Sequence, residues 1–156
     1  GRLFDAVAAL VLEKYKVRFE AELAIELEKI ATSYELGARS YEFKITKDKN
    51  QYILDPLPML KEIIKDLKAK ESKQKIAYRF HLTIAQMIRK ICLVLRKETK
   101  INKVVLSGGV FQNRLLFSLC SGLLSGEGFK VFTHIDLSCS DSSISLGEAV
   151  IASFRS

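Results

Sequence analysis

The chain has 156 residues, 48% of them hydrophobic and 28% charged, with only two prolines, a composition that excludes a disordered or low-complexity protein. At this length one domain buries roughly two-thirds of its unfolded surface. The net charge of +7 is concentrated in residues 61–103, where 13 Lys and Arg stand against 4 Asp and Glu. Such an excess could attract RNA, nucleotide phosphates or an acidic partner, but aromatic residues do not alternate with the lysines, and a solvated helix face is the plainer reading. No apolar run approaches the roughly 20 residues that cross a bilayer, and GRLFDAVAALVLEKYK at the amino end carries acids and helical periodicity where a signal peptide needs a cleavage pattern. A cytoplasmic protein is expected. Cys92, Cys120 and Cys139 are odd in number and widely spaced, so reduced, mostly buried thiols are expected rather than disulfides or a cysteine zinc site.

In chain order, Leu3, Val7, Leu10 and Val11 recur at helical spacing, as do Leu23, Leu27, Ile30, Ala31 and Tyr34. Two helices therefore open the chain. YEFKI at 41–45 and YIL at 52–54, separated by TKDKNQ, predict a hairpin. Asp55 and Pro56 start a helix to about Lys70. From Ser72 to about Glu98, Ile76, Phe80, Ile84, Met87, Ile91 and Leu95 mark one long helix. A second stripe through Ala77, His81, Ala85, Ile88 and Cys92 widens its apolar face, so the helix is expected in the interior, against a sheet, with His81 a satisfied core residue. KVVLS reads as a short buried strand, followed by a helix over about 111–124, a turn at Gly126 and Gly128, FKVFTH as another strand, and SISLGEAVIASF as a closing helix. The order predicts a parallel βαβα half attached to a hairpin. There is no internal repeat and no linker long enough to mark a domain boundary.

Gly108 and Gly109 stand between the strand and the helix that follows. Glycine reaches backbone conformations closed to other residues and lets a ligand touch the main chain. The first amides of a helix lack partners within it and carry its partial positive charge. Strand, Gly-Gly, helix is therefore one way to hold a phosphate or ribose, and Asn113 could hydrogen-bond a base or sugar. Alone the signal is weak, because such a turn also needs glycine for geometry, and neither GK[ST] nor GxGxxG is present.

GRLFDAVAAL at the start, AIELEKIA at 24–31, IAYRFHLTIA at 76–85, LSGGVFQNRLL at 106–116 and SDSSISLGEAV at 140–150 together resemble the carboxy-terminal part of the hydrogenase maturation carbamoyltransferase HypF family. The motifs come in the family's order and cover nearly the whole chain. The resemblance implies an α/β fold: the second lobe of a Kae1-like domain of the actin-like (ASKHA, ribonuclease H-like) ATPase type, with a mixed sheet whose parallel βαβα half is packed by helices. It further implies a fragment of a larger protein, because the chain begins at Gly1 and such ATP sites lie between two lobes, so this piece alone is expected to be inactive. The family makes carbamoyl adenylate from carbamoyl phosphate and ATP in a YrdC-like domain. Its Kae1-like domain binds the adenylate and passes the carbamoyl group to the carboxy-terminal cysteine of HypE, for the cyanide ligand of nickel-iron hydrogenases. ATP or carbamoyl adenylate is thus the implied ligand. The implied partners are an upstream first lobe, the YrdC-like domain and a HypE-like acceptor, with no membrane or nucleic acid.

Residue by residue, the resemblance assigns nucleotide binding to Asp5, Glu26, Ser107, Gly108, Gly109 and Asn113, and leaves the catalytic residues unknown. SGGVFQN matches without change. Asp5 reads equally as a first-turn acid favoured by the helix dipole, and Glu26 as a solvated face shared with Glu22. The family's NDGG, whose aspartate helps hold a metal, falls on Ser140, Asp141, Ser142 and Ser143. Asp141 is thus a candidate metal ligand or a helix N-cap, and the serines put close phosphate approach in doubt. The family's YEGQAAIE is FEAELAIE here, with Ala21 and Glu22 replacing glycine and glutamine. Its paired metal histidines belong to the first lobe, so iron or zinc is implied only with that lobe. His134 at a strand end reads as solvated. Two alternatives stay open. One is a tRNA threonylcarbamoyl transferase-like domain, whose GEAFDK and GGVAAN forms match less well. The other is a degenerate module kept for interaction or structure.

Overall fold

The computed structural model describes residues 2–34 and 37–154. Six helices and four strands follow in the order α1 (Arg2–Leu12), α2 (Glu22–Thr32), β1 (Lys44–Asp48), β2 (Gln51–Asp55), α3 (Leu57–Lys68), α4 (Lys73–Thr99), β3 (Lys103–Leu106), α5 (Arg114–Gly126), β4 (Lys130–Thr133) and α6 (Ile144–Ser153). The helices match the periodicity. α4 starts where Ser72 Oγ accepts from the Lys75 amide at 3.3 Å and stops at Lys100, whose φ of 62° leaves the right-handed helical region.

α4 is the centre of the core, but it lies against helices rather than a sheet. It packs chiefly against α2 and α5, with α1 and α3 completing the layer. Phe4, Val7 and Val11 of α1, Leu27 of α2, Ile63 of α3, and Leu116 and Leu124 of α5 close around Ile76 and Phe80. Each such aliphatic or aromatic side chain contributes about 1.5–3 kcal/mol when fully buried. Phe4 meets Phe80 edge-on at 4.8 Å and His81 at 5.3 Å. Cys120 is buried in this layer, which pushes its thiol up to about 12, while Cys92 and Cys139 are half-buried.

The expected mixed sheet does not form among the described residues. β1 pairs with β2 antiparallel and β3 with β4 parallel, as two separate two-stranded sheets. The hairpin is mostly exposed. It is tied to α4 by Glu98, which accepts from Lys47 Nζ at 2.6 Å and Tyr52 Oη at 2.5 Å. Its first strand also starts three residues later than expected, because Tyr41 is anchored in the helical layer. The Tyr41 amide donates to Thr83 Oγ1 at 2.8 Å and its hydroxyl to Asp66 at 2.9 Å. Thr46, Lys47 and Asp48 therefore enter the ladder, and the turn falls at Lys49, with φ of 50°.

β3, α5 and β4 form the expected crossover, with Leu106 opposite Thr133 at the strand ends. β3 is not a buried strand, however. Leu106 is buried, whereas Val105 on the opposite face is 67% exposed. α6 is helical as expected, yet none of its residues is buried, and Ile144, Leu146, Val150 and Ile151 face solvent.

Candidate functional site

β3 delivers Ser107, Gly108 and Gly109 to the carboxyl end of the parallel pair, the end at which open α/β sheets bind ligands. Gly108 adopts φ 102° and ψ 154°, a region essentially reserved for glycine. Gly109 is not so constrained. A β-carbon at either position would meet no atom within 4 Å, so the backbone here is open to approach. The chain then makes a 3-10 turn at Gly109–Gln112 in which the Phe111 amide donates to the Gly108 carbonyl at 3.0 Å. Val110 and Phe111 pack against the core, which accounts for the apolar middle of SGGVFQN.

The glycines do not lead directly into a free helix end. α5 begins after Asn113, and its first amides are already occupied. Asn113 Oδ1 accepts from the Leu116 amide at 2.8 Å. Glu28 of α2 accepts from the Arg114 amide at 2.7 Å and the Leu115 amide at 3.3 Å through one oxygen. The dipole of α5 is therefore met by a carboxylate from within the chain.

Asn113 has a second partner. Its Nδ2 lies 2.9 Å from His81 Nε2, while His81 Nδ1 lies 2.8 Å from the Ala77 carbonyl. Since a carbonyl only accepts, Nδ1 carries the proton and Nε2 accepts from the amide of Asn113. His81 is thus the satisfied core histidine that its apolar surroundings imply, and burial pulls its imidazole down to about 4. A ligand would find only the remaining hydrogen-bonding capacity of Asn113.

Ser107 also has a partner, one that the solvated reading of His134 does not include. Its Oγ is 2.8 Å from Nε2 of His134, the residue just past β4. Both are exposed. Beside them a cavity of about 310 Å³ is lined by Leu106, Phe111, Thr133, His134 and Cys139.

Glu26 lies elsewhere. It lines a separate cavity of about 530 Å³ with Lys14, Arg18, Glu22 and Lys29, and no residue lines both. Glu26 and Glu28, two positions apart on α2, point to nearly opposite sides of the helix, which is why one faces this cavity and the other reaches α5. Lys14 Nζ is 2.8 Å from Glu26 and 3.3 Å from Glu22, and these bonds, that to Glu26 first, raise its pKa. Glu22 is not on a solvated face. It is 5% exposed and accepts from the Arg18 amide at 2.6 Å and the Arg18 guanidinium at 2.9 and 3.1 Å. The backbone bond, then the guanidinium, holds its carboxyl down to about 2. Ala21 beside it has φ 62°, in the left-handed region that favours glycine. Asp5 sits half-buried in the first turn of α1 and makes no side-chain hydrogen bond to another described residue.

Asp141 opens a 3-10 turn, Asp141–Ser143, ahead of α6, and the side chains there provide no cap to either. Its neighbours are serines linked to each other, with Ser138 Oγ 2.7 Å from Ser140 Oγ and Ser140 Oγ 3.0 Å from Ser142 Oγ. Among the described residues no three His, Cys, Asp or Glu side chains come together as metal ligands, so these residues alone do not fit a metal centre. No helix of the described residues is long and apolar enough to cross a membrane.

Residues 1–148 match the family described as carbamoyltransferase, Kae1-like domain, second subdomain. The chain is 30% identical over 150 residues to the probable carbamoyltransferase HypF of Methanocaldococcus jannaschii, covering 96% of this chain and 19% of that protein. It is 29% identical over 148 residues to carbamoyltransferase HypF of Synechocystis, covering 95% of this chain and 18% of that protein. Among solved structures, full-length HypF in its phosphate- and nucleotide-bound form superposes with a TM-score of 0.88 at 42% identity, over 97% of this chain and 20% of the other. HypF of T. kodakarensis shares the fold with a TM-score of 0.72 at 24% identity, over 90% of this chain and 18% of the other. This chain spans about a fifth of the length of these relatives, and over that span it belongs to the HypF carbamoyltransferase family, as the second subdomain of its Kae1-like domain.

Proposed function

We propose that this chain supplies one wall of a nucleotide cleft, holding ATP or carbamoyl adenylate, in a carbamoyltransferase that loads the carboxy-terminal cysteine of a HypE-like acceptor during nickel-iron hydrogenase maturation. In this reading the chain is one lobe of an actin-like ATPase fold within a larger protein. The rest of the cleft comes from a first lobe, the adenylate from a YrdC-like domain, and the isolated piece does not turn over. The observation that carries it is the glycine turn. SGGVFQN stands unchanged at the carboxyl end of a parallel strand, with unobstructed space above both glycines, in a chain 42% identical to a HypF solved with phosphate and nucleotide.

Calorimetric titration with ADP, on the protein in its longest native form, tests this. Gly109→Val should weaken ADP about tenfold, equivalent to about 1.4 kcal/mol, with the melting temperature preserved, because its β-carbon meets nothing within 4 Å. Equal affinity in variant and wild type would remove the glycine turn from the site. Gly108 is a poorer probe, since any side chain at φ 102° strains the fold. Asn113→Ala is poorer still, because it removes the α5 cap and leaves the buried Nε2 of His81 without its donor.

A further inference from the structure

KVVL and KVFT lie side by side in register, Lys103 opposite Lys130 through Leu106 opposite Thr133. The next pair, Ser107 and His134, falls just beyond the ladder and makes the bond Oγ to Nε2 at 2.8 Å. The bond holds no element in place, because the strand ends are already joined by the ladder and both side chains are exposed. What it fixes is the direction of one proton. A serine hydroxyl has one donor proton and two lone pairs, so its neighbour decides whether it presents a donor or an acceptor to a ligand.

We propose that His134 is a positioning residue for Ser107. Its Nε2–H donates to the Ser107 oxygen, and the Ser107 proton is thereby left to donate to an anionic phosphate or carbonyl oxygen of a ligand at the glycine turn. An anionic oxygen accepts only, so the tautomer with Nε2 protonated is the one that makes Ser107 useful there. The exposed Nδ1 is then hydrated. The role rests on the nucleotide reading above.

A double-mutant cycle in ADP binding, measured by calorimetry on the same longest native form with melting curves for each variant, tests the role. Ser107→Ala and His134→Ala should each weaken ADP about tenfold, the range of a hydrogen bond to a charged group. The double variant should be no weaker than either single one, because His134 acts through Ser107. His134→Gln, whose terminal amide supplies an N–H in place of Nε2–H, should restore most of the affinity, and all four should melt as wild type does. Wild-type affinity in His134→Ala, additive losses in the double variant, no rescue by glutamine, or a lowered melting temperature in His134→Ala would each overturn the role. Failure of the wild-type protein to bind ADP at all would instead overturn the nucleotide reading, and the positioning role with it.

Discussion

At the scale of single residues, Ala21 has a backbone shape that its own side chain disfavours. It holds φ 62° at the start of α2, where the left-handed region disfavours any residue with a β-carbon. Its neighbour Glu22 supplies a reason for the conformation, since the loop bends so that the Arg18 amide and guanidinium both reach one carboxylate. Ala21→Gly should therefore raise stability by about 1 kcal/mol, measured by urea denaturation. A loss of stability would mean that the strain is compensated locally. This detail is invisible in the sequence, where FEAEL gives no sign of backbone conformation. His134 is more nearly legible. KVVLS and KVFTH start alike, and aligning them as parallel neighbours pairs Ser107 with His134 directly, but register is set by packing against α5 and not by either strand alone.

At the scale of elements, the joint between α2 and α5 governs the candidate site. Periodicity is enough to find both helices, since three- and four-residue spacing is a local property. It cannot find Glu28, whose partners Arg114 and Leu115 lie 86 and 87 residues away. The start of α5 also falls later than the sequence predicts, because the 3-10 turn at Gly109–Gln112 inserts a tight turn between the glycines and the helix. Asn113, expected as a ligand contact, is occupied as the cap. Glu28→Ala should cost about 1–2 kcal/mol by leaving two amides at a charged helix end without their acceptor. Glu28→Gln, which keeps an acceptor oxygen, should cost less than half of that in the same denaturation assay. Equal stability of the alanine variant and wild type would show that water caps α5 equally well.

At the scale of the whole molecule, charge and burial act through different residues. Several of the basic residues in 61–103 are held in structural contacts. Arg79 pairs with Asp66 at 2.5 Å, Lys75 with Glu71 at 2.9 Å, Arg89 with Glu127, and Arg96 reaches Asn102 and the Glu127 carbonyl. The plain reading of that segment as a helix surface suits these pairs. Global stability should instead follow His81. Its imidazole sits at about 4 in the folded protein against an ordinary value of 6.5, so between those limits the unfolded chain binds more protons. Stability is therefore full above about pH 6.5 and falls as pH drops towards 4, by up to about 3 kcal/mol. Denaturation at pH 7 and pH 4.5 should show most of this fall, before Glu22 contributes its own loss between about 4.5 and 2. A flat profile over the upper window would mean that His81 is hydrated in solution. The helical layer around His81 is legible from apolar spacing, whereas the split into two small sheets is not, because Tyr41 reads as a strand residue until its long-range partners Thr83 and Asp66 are known.

The bond from Glu28 to α5 also bears on the order in which the protein is made. A chain emerging from the ribosome at ~5–20 residues per second presents α1 to α4 first, so Phe4, Leu27 and Phe80 are available to one another before Leu116 and Leu124 of α5 close over them. Glu28 then stays hydrated for several seconds until Arg114 and Leu115 emerge. The glycine turn acquires its neighbour His134 later still. Synthesis thus presents most of the helical layer before it completes the proposed ligand turn, and a nascent chain stalled before β4 would carry the first without the second.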